Sequence, residues 1–291
     1  LPHRRTLLLA AAAALSAPLA PASGRAAGSD AAHAGLAALE SAGAVRLGVA
    51  AVNTATGARL GWRAAERFAF CSTFKVVSVS AILKRSETAP ALLQQRVTYG
   101  GESLVPYSPV TEKHVGTGMT IAELCAAALQ YSDNTAANLI IRALGGPAGV
   151  TRFARAIGDN TFRLDRMETA LNTAIPHDPR DTSTPAAMMR DTRALAAGGL
   201  LGTAQRTMLV DWMKGCTTGG KRIRAGVPAG WQVADKTGTG DYGTTNDLGL
   251  VWPPGKPPIV LAIYLTQADK AAAPRDDIVA RAAAIVTATL G

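Results

Sequence analysis

The chain has 291 residues and a formal net charge of +9, from 30 Lys and Arg against 21 Asp and Glu. Apolar residues are 48% of it and charged ones 18%, which excludes a disordered chain, and three cysteines are too few for a disulfide scaffold. Four scattered histidines (His3, His33, His114, His177) show no metal-ligand spacing, so neither a metal nor another cofactor is expected.

The N-terminus reads as an address. His3-Arg4-Arg5 is a basic segment, Leu7 to Leu15 is apolar but too short to span a bilayer, and Ala20-Pro21-Ala22 fits a signal-peptidase site. Residues 1–27 are therefore expected to be a signal peptide and tail, and the protein to be exported, periplasmic or secreted. Arg4-Arg5 resembles a twin-arginine signal, with the general secretory route as the alternative. The chain starts at Leu1, as a literally translated alternative start codon or a truncated sequence would. No cysteine lies near the cleavage site, so no lipid anchor is expected, and no uninterrupted apolar run reaches the ~18 residues of a membrane span.

Beyond it, Ala and Leu at helical spacing over 30–43 predict a helix capped by Asp30. Residues 46–53 and 59–63 read as a hairpin around Thr54-Ala55-Thr56-Gly57. Helices follow at 72–85, 119–130, 134–144, 184–197 and 203–214. Strands return at 231–237, 243–252 and 258–266, and an amphipathic helix closes the chain at 275–290. Strands at both ends with helices between predict an α+β fold: an antiparallel sheet of about five strands flanked by helices, with an inserted helical domain. The expected division is a discontinuous α/β lobe, 28–62 and 215–291, and an all-helical lobe, 63–214, with a cleft between them.

Two literal motif matches fail on context. Gly238-Thr239-Gly240-Asp241-Tyr242-Gly243 matches a dinucleotide loop, but a strand rather than a helix follows it. Gly215 to Lys221 approaches a phosphate loop, but Arg222 stands where the magnesium-binding hydroxyl should be. No groove-reading motif or basic stripe with aromatics is present, so no nucleic-acid partner is expected.

Three other motifs hold together. Ser72-Thr73-Phe74-Lys75 opens a predicted helix, which sets a hydroxyl beside an amine that can share the work of activating it. The helix start also offers backbone N–H groups to a developing oxyanion. Ser132-Asp133-Asn134 lies between two predicted helices, and Lys236-Thr237-Gly238 ends a strand. In this order, S-x-x-K, S-D-N and K-T-G are the signature of class A β-lactamases and penicillin-binding proteins, and the chain resembles that superfamily over nearly all of its mature length. Arg166-Met167-Glu168-Thr169-Ala170-Leu171-Asn172 is similar to the class A E-x-x-L-N segment, which transpeptidases of the superfamily lack.

The resemblance implies hydrolysis of the β-lactam ring of penicillins and cephalosporins, and with it β-lactam resistance. Ser72 would be the nucleophile, with the N–H groups of Ser72 and Thr239 as oxyanion hole. Lys75, or Glu168 through water, would take the first proton, and the sequence leaves that choice open. Ser132 would relay a proton to the departing nitrogen. Glu168 and Asn172 would activate the deacylating water. Asn134 would hold the substrate amide, and Tyr107 would line the cleft mouth. Lys236, Thr237, Gly238 and Thr239 would face the substrate carboxylate. Many relatives add an Arg at the position of Thr245; Arg222 is expected to supply that cation instead. Arg166 and Asp181 would clamp an Ω-shaped loop over 163–181. Neither disulfide of the family is expected, because Val79 and Gly240 stand where the partners of Cys125 and Cys71 would be. The alternatives are a penicillin-sensitive DD-peptidase and a β-lactam-sensing domain. The resemblance also implies a monomer with no partner but its small substrate.

Overall fold

The structure, a computed structural model, describes the backbone from Ala22 to Gly291 and the side chains from residue 28. The signal reading at His3, Arg4, Arg5 and Leu7 to Leu15 lies outside the described residues. Helix α1 runs over Ala22–Gly43, so Asp30 lies within it rather than capping it. Strands β1 (Arg46–Asn53) and β2 (Arg59–Trp62) form the hairpin, and Asn53 Oδ1 accepts the N–H groups of Ala55 and Thr56 to shape its turn.

Short strand β3 (Phe68–Ala69) leads into a 3-10 turn at Cys71–Phe74 and helix α2 (Lys75–Ser86). Ser72 thus sits in the tighter turn before the α-helix and not in the helix itself. Strands β4 (Arg96–Val97) and β5 (Met119–Thr120) pair ahead of helix α3 (Ile121–Gln130), which Thr120 and Glu123 close with a capping box. Asp133 caps helix α4 (Asn134–Ala143) by accepting from Ala136 N. Helix α5 (Pro147–Ala156) is additional to the expected elements. Its start is hidden in Gly145-Gly146-Pro147, which has loop composition although Pro suits the first helical turn.

The loop of residues 163–181 precedes β6 (Thr182–Ser183), which pairs with β3. Helix α6 (Pro185–Thr192) is shorter than expected and widens into a π-turn over Arg193–Ala197. Helices α7 (Thr203–Lys214) and α8 (Ile223–Gly226) lead to strands β7 (Gln232–Gly240), β8 (Thr244–Trp252) and β9 (Ile259–Thr266), and α9 (Asp276–Leu290) closes the chain. The turn after Gly240 returns directly into β8, which removes the dinucleotide reading.

The five long strands form one antiparallel sheet, ordered β2-β1-β9-β8-β7. Strands β1, β8 and β9 are buried on both faces, and the period of two divides them cleanly. Leu47, Val49 and Ala51 pack with Leu36, Leu39, Ile278 and Val286 of α1 and α9. Ala50 and Val52 face the opposite core, with Tyr264 and the residues of α2, α3 and α4. The first and last thirds of the chain thus share the sheet, and the helices between them form the second core. Edge strand β7 carries Lys236, Thr237 and Gly238 beside that second core.

Candidate active site

Ser72, Lys75, Ser132, Asn134, Glu168 and Lys236 converge although up to 164 positions separate them in the chain. Each is buried. Ser72 Oγ donates to Glu168 Oε1 at 3.2 Å, and Lys75 Nζ lies 3.0 Å from the same oxygen. Lys75 also donates to the Ser132 carbonyl at 2.8 Å and to Asn134 Oδ1 at 2.7 Å. Its three N–H directions are therefore filled by acceptors, which is the environment of an ammonium. Burial pulls the Lys75 pKa down, and the Glu168 charge and hydrogen bond oppose it.

Lys236 Nζ donates to Ser132 Oγ at 2.9 Å and to the Thr237 carbonyl at 2.8 Å. Ser132 Oγ also receives a longer contact from Lys75, at 3.4 Å. With two cationic donors on its oxygen, the Ser132 hydroxyl is left to donate its own proton into the cleft. Burial, and then the charge of Lys75, push Lys236 down to about 7.

Glu168 is held from three sides. Asn172 Nδ2 donates to Oε2 at 2.6 Å. Asn138, on the second turn of α4, takes the Glu168 N–H and donates to its carbonyl, each at 2.9 Å. Motif reading missed Asn138; its only signal is its place one helical turn after Asn134. Arg166 Nε meets Asp181 Oδ2 at 2.5 Å, and Asp181 Oδ1 accepts the N–H groups of Asp165 and Arg166. The loop root is thus clamped by the pair the sequence singled out.

Asp133 does more than cap α4. Its Oδ2 accepts from Val110 and Thr111 N–H, fastening the segment that carries Tyr107. Tyr107 is 59% exposed, and its carbonyl accepts from Asn134 N. Cys71, Tyr107, Ser132 and Asp181 all hold positive φ without being glycine. Such residues cost ~1–3 kcal/mol each and persist only where surrounding contacts fix them.

Gly238 lets β7 approach the nucleophile. A Cβ there would lie 2.7 Å from the Phe70 carbonyl and 3.2 Å from Ser72 N. Asn246 Nδ2 reaches across from β8 to the Ala69 and Phe70 carbonyls, fixing the same turn. Cys71, Cys125 and Cys216 are all free and buried.

Arg222 is buried rather than a surface residue. Its Nε pairs with Asp276 at 2.7 Å, Nη1 donates to the Gly238 and Asn246 carbonyls, and Nη2 donates to Thr239 Oγ1 at 2.8 Å. Four of its five N–H groups are engaged. Because Arg222 can only donate, the Thr239 hydroxyl must direct its own proton elsewhere. Thr237 Oγ1 contacts Thr218 Oγ1 at 2.6 Å on the same strand edge.

A model of the β-lactamase enzyme family matches residues 32–290. The chain belongs to that family. It is 55% identical over 252 residues to the β-lactamase CTX-M-8 of Citrobacter amalonaticus, covering 87% of both chains. It is 54% identical over 285 residues to the β-lactamase OXY-1 of Klebsiella oxytoca, covering 98% of this chain and 97% of that one. The crystal structure of a β-lactamase from Desulfarculus baarsii DSM 2075 superposes with a TM-score of 0.89 at 57% identity, covering 90% of this chain and 98% of the other. This enzyme is a class A serine β-lactamase.

Proposed function

We propose that this β-lactamase opens the β-lactam ring through a Ser72 acyl-enzyme and clears it with water activated by Glu168. The observation that carries the reading is Glu168 itself: one oxygen on the nucleophile, the other held by Asn172. A penicillin-sensitive DD-peptidase or a sensor stays acylated by the β-lactam, and that reading gives this carboxylate no role.

In acylation, the Ser72 hydroxyl adds to the ring carbonyl and gives its proton to Glu168, the base in contact with it. Lys75, saturated with acceptors, serves as the cation paired with Glu168 at 3.0 Å, on the same oxygen that the Ser72 hydroxyl meets. The N–H groups of Ser72 and Thr239 receive the negative charge that appears in the transition state. Ser132 gives its proton to the ring nitrogen as the C–N bond breaks, and Glu168 returns the first proton through Lys75. In deacylation Glu168 takes a proton from water, hydroxide adds to the ester, and Ser72 departs with that proton. Asn134 and Tyr107 bound the substrate side chain.

The substrate carboxylate meets Lys236, Thr237 and Thr239. Arg222 acts on it mainly by turning the Thr239 hydroxyl toward it and by its remaining N–H. Arg222→Ala is expected to lower penicillin kcat/KM ~10-fold or more, as removal of a charge-assisted contact does. Unchanged kcat/KM would remove Arg222 from the site.

With Lys236 pushed down to about 7, the free enzyme loses this cation as pH rises. KM for anionic penicillins is therefore expected to climb above about pH 7. A bound carboxylate restores the charge, so kcat declines only at higher pH. The stability linkage has the opposite sense. An unfolded lysine keeps its proton to ~10.4, so the unfolded state binds more protons between about 7 and that value, and this group's contribution to stability rises with pH there. A KM that stays level through pH 9 would reject the role given to Lys236.

The export reading rests on the signal-like segment within residues 1–27, by the twin-arginine or the general route. No helix among the described residues is long and apolar enough to cross a membrane.

A further inference from the structure

The oxyanion hole takes its two donors from two different elements. Ser72 N belongs to the 3-10 turn Cys71–Phe74, which Phe70 begins, and Thr239 N belongs to edge strand β7. Their spacing therefore depends on what ties the turn to the sheet. Among the described residues, no hydrogen bond joins residues 70–74 to β7 directly, and two side chains from other strands reach the turn instead. Tyr264 Oη of β9 meets Thr73 Oγ1 at 2.8 Å. Asn246 Nδ2 of β8 donates to the Ala69 carbonyl at 2.8 Å and to the Phe70 carbonyl at 3.1 Å.

The sheet register puts Asn246 in that place. It stands directly opposite Gly238, and paired residues of neighbouring strands project from the same face. Gly238 leaves that face empty. The Phe70 carbonyl occupies the space a side chain would fill, within reach of the Asn246 amide. Asn246 is fully buried, and every polar atom of its amide is engaged. Both N–H groups go to the turn, while Oδ1 accepts from Leu265 N of β9 at 3.3 Å. Two acceptors on one side and a donor on the other dictate which way the amide points. The Asn246 and Gly238 carbonyls also share Arg222 Nη1, which locks β7 to β8 at this register.

The turn needs such a tie. Cys71, beside Ser72, holds φ at 46° without being glycine, a conformation that lasts only where contacts around it fix it. Ahead of it, Phe70 N donates to the Asp181 carbonyl. The Phe70 carbonyl accepts from Thr73 N, Thr73 Oγ1 and Asn246 Nδ2. The two Thr73 bonds are internal to the turn, so it is Asn246 that relates this carbonyl to the sheet.

We propose that Asn246 is a positioning residue for the oxyanion hole: its amide holds the turn bearing the Ser72 N–H against β8, and the β7–β8 ladder carries that registration to Thr239 N. This rests on the roles given above to Ser72 and Thr239. Both half-reactions pass through a tetrahedral oxyanion, so the hole serves each of them. Loosening it slows acylation and deacylation together and leaves KM little changed. Loss of Glu168, by contrast, strands the acyl-enzyme.

Asn246→Asp keeps the shape and the acceptor for Leu265 N, but sets a carboxylate oxygen against the two carbonyls. Its penicillin kcat is expected to fall ~10²-fold, the cost of about 1 Å of misplacement, with KM little changed and no build-up of acyl-enzyme by intact mass. Phenylboronic acid gives a second measure. Ser72 Oγ bonds the boron, the hydroxyl proton leaves to solvent, and the tetrahedral anion places an oxygen in the hole. Its Ki is expected to rise by a similar ~10²-fold, as for any mimic of the transition state. Asn246→Ala removes the donor without adding a charge and should repeat both effects. Wild-type kcat and inhibition in either folded variant would overturn the proposal, as would a fall confined to deacylation or a raised KM with kcat intact. If neither variant folds, Asn246 holds the fold rather than the hole, and the proposal is overturned likewise. A wild type that neither turns over penicillin nor takes phenylboronic acid would overturn the reading of the site itself, and the proposal with it.

Discussion

Glu168→Ala enzyme is expected to take up one penicillin per site and release it at least ~10³-fold more slowly than the wild type, within the range that loss of a general base produces. The acyl-enzyme should accumulate as a stable adduct visible by intact mass. The geometry explains why the second half-reaction suffers most. Acylation loses its first base too, but without the Glu168 charge the buried Lys75 amine gives up its proton more readily and can take that role, and the oxyanion donors and the leaving-group proton from Ser132 remain; deacylation needs a base aimed at a water on the ester. In the proposed mechanism that base is the Glu168 carboxylate, held by Asn172 at 2.6 Å and framed by Asn138. Burst stoichiometry with a chromogenic cephalosporin checks it. Wild-type turnover by the variant would remove Glu168 from the mechanism, and a wild type that itself stalls after one equivalent would make the protein a penicillin-binding receptor.

Lys75→Ala is expected to slow acylation by ~10³–10⁴-fold, the loss typical of a positioned charged group in a water-poor site. Its amine joins the Ser132 carbonyl, Asn134 Oδ1 and Glu168 Oε1 in one cluster, all at 3.0 Å or less. Without it Glu168 is a buried charge with no cation against it, and breaking such a pair costs ~3–5 kcal/mol. Tm should therefore fall together with the rate. Lys75→Arg restores the charge but not the shape, since a planar fork cannot occupy a site built for a compact ammonium. It should remain slow to acylate. Pre-steady-state acylation rates read the effect, and a Lys75→Arg enzyme of wild-type speed would show that charge alone suffices at this position.

Both predictions use residues that were legible before any coordinates. Ser72 with Lys75, Ser132 with Asn134, and Lys236 with Thr237 are local pairs, and their spacing survives folding because a helical turn or a strand fixes it. The same locality made the strands and most helices readable from period and caps. Where local chemistry was ambiguous, the reading slipped. Gly145-Gly146-Pro147 concealed α5, and the strand through Lys236 continues to Gly240 because pairing with β8 outweighs its glycines. Arg222 is a finer case. The sequence singled it out as the missing cation, and the fold makes it a buried hub on Asp276, two carbonyls and Thr239.

By itself, then, the sequence determined the chemistry available: a hydroxyl beside an amine, a carboxylate four residues before an amide, and a strand lysine followed by glycine. It also determined the order of strands and helices that builds one sheet from both ends of the chain. Only the tertiary structure decided which groups share a proton or a charge. Asn138 against the Glu168 backbone and Asn246 against the turn before Ser72 each join residues 30 or more positions apart. No local period encodes such contacts, because they arise where two separately formed elements are pressed together by the burial of their apolar faces.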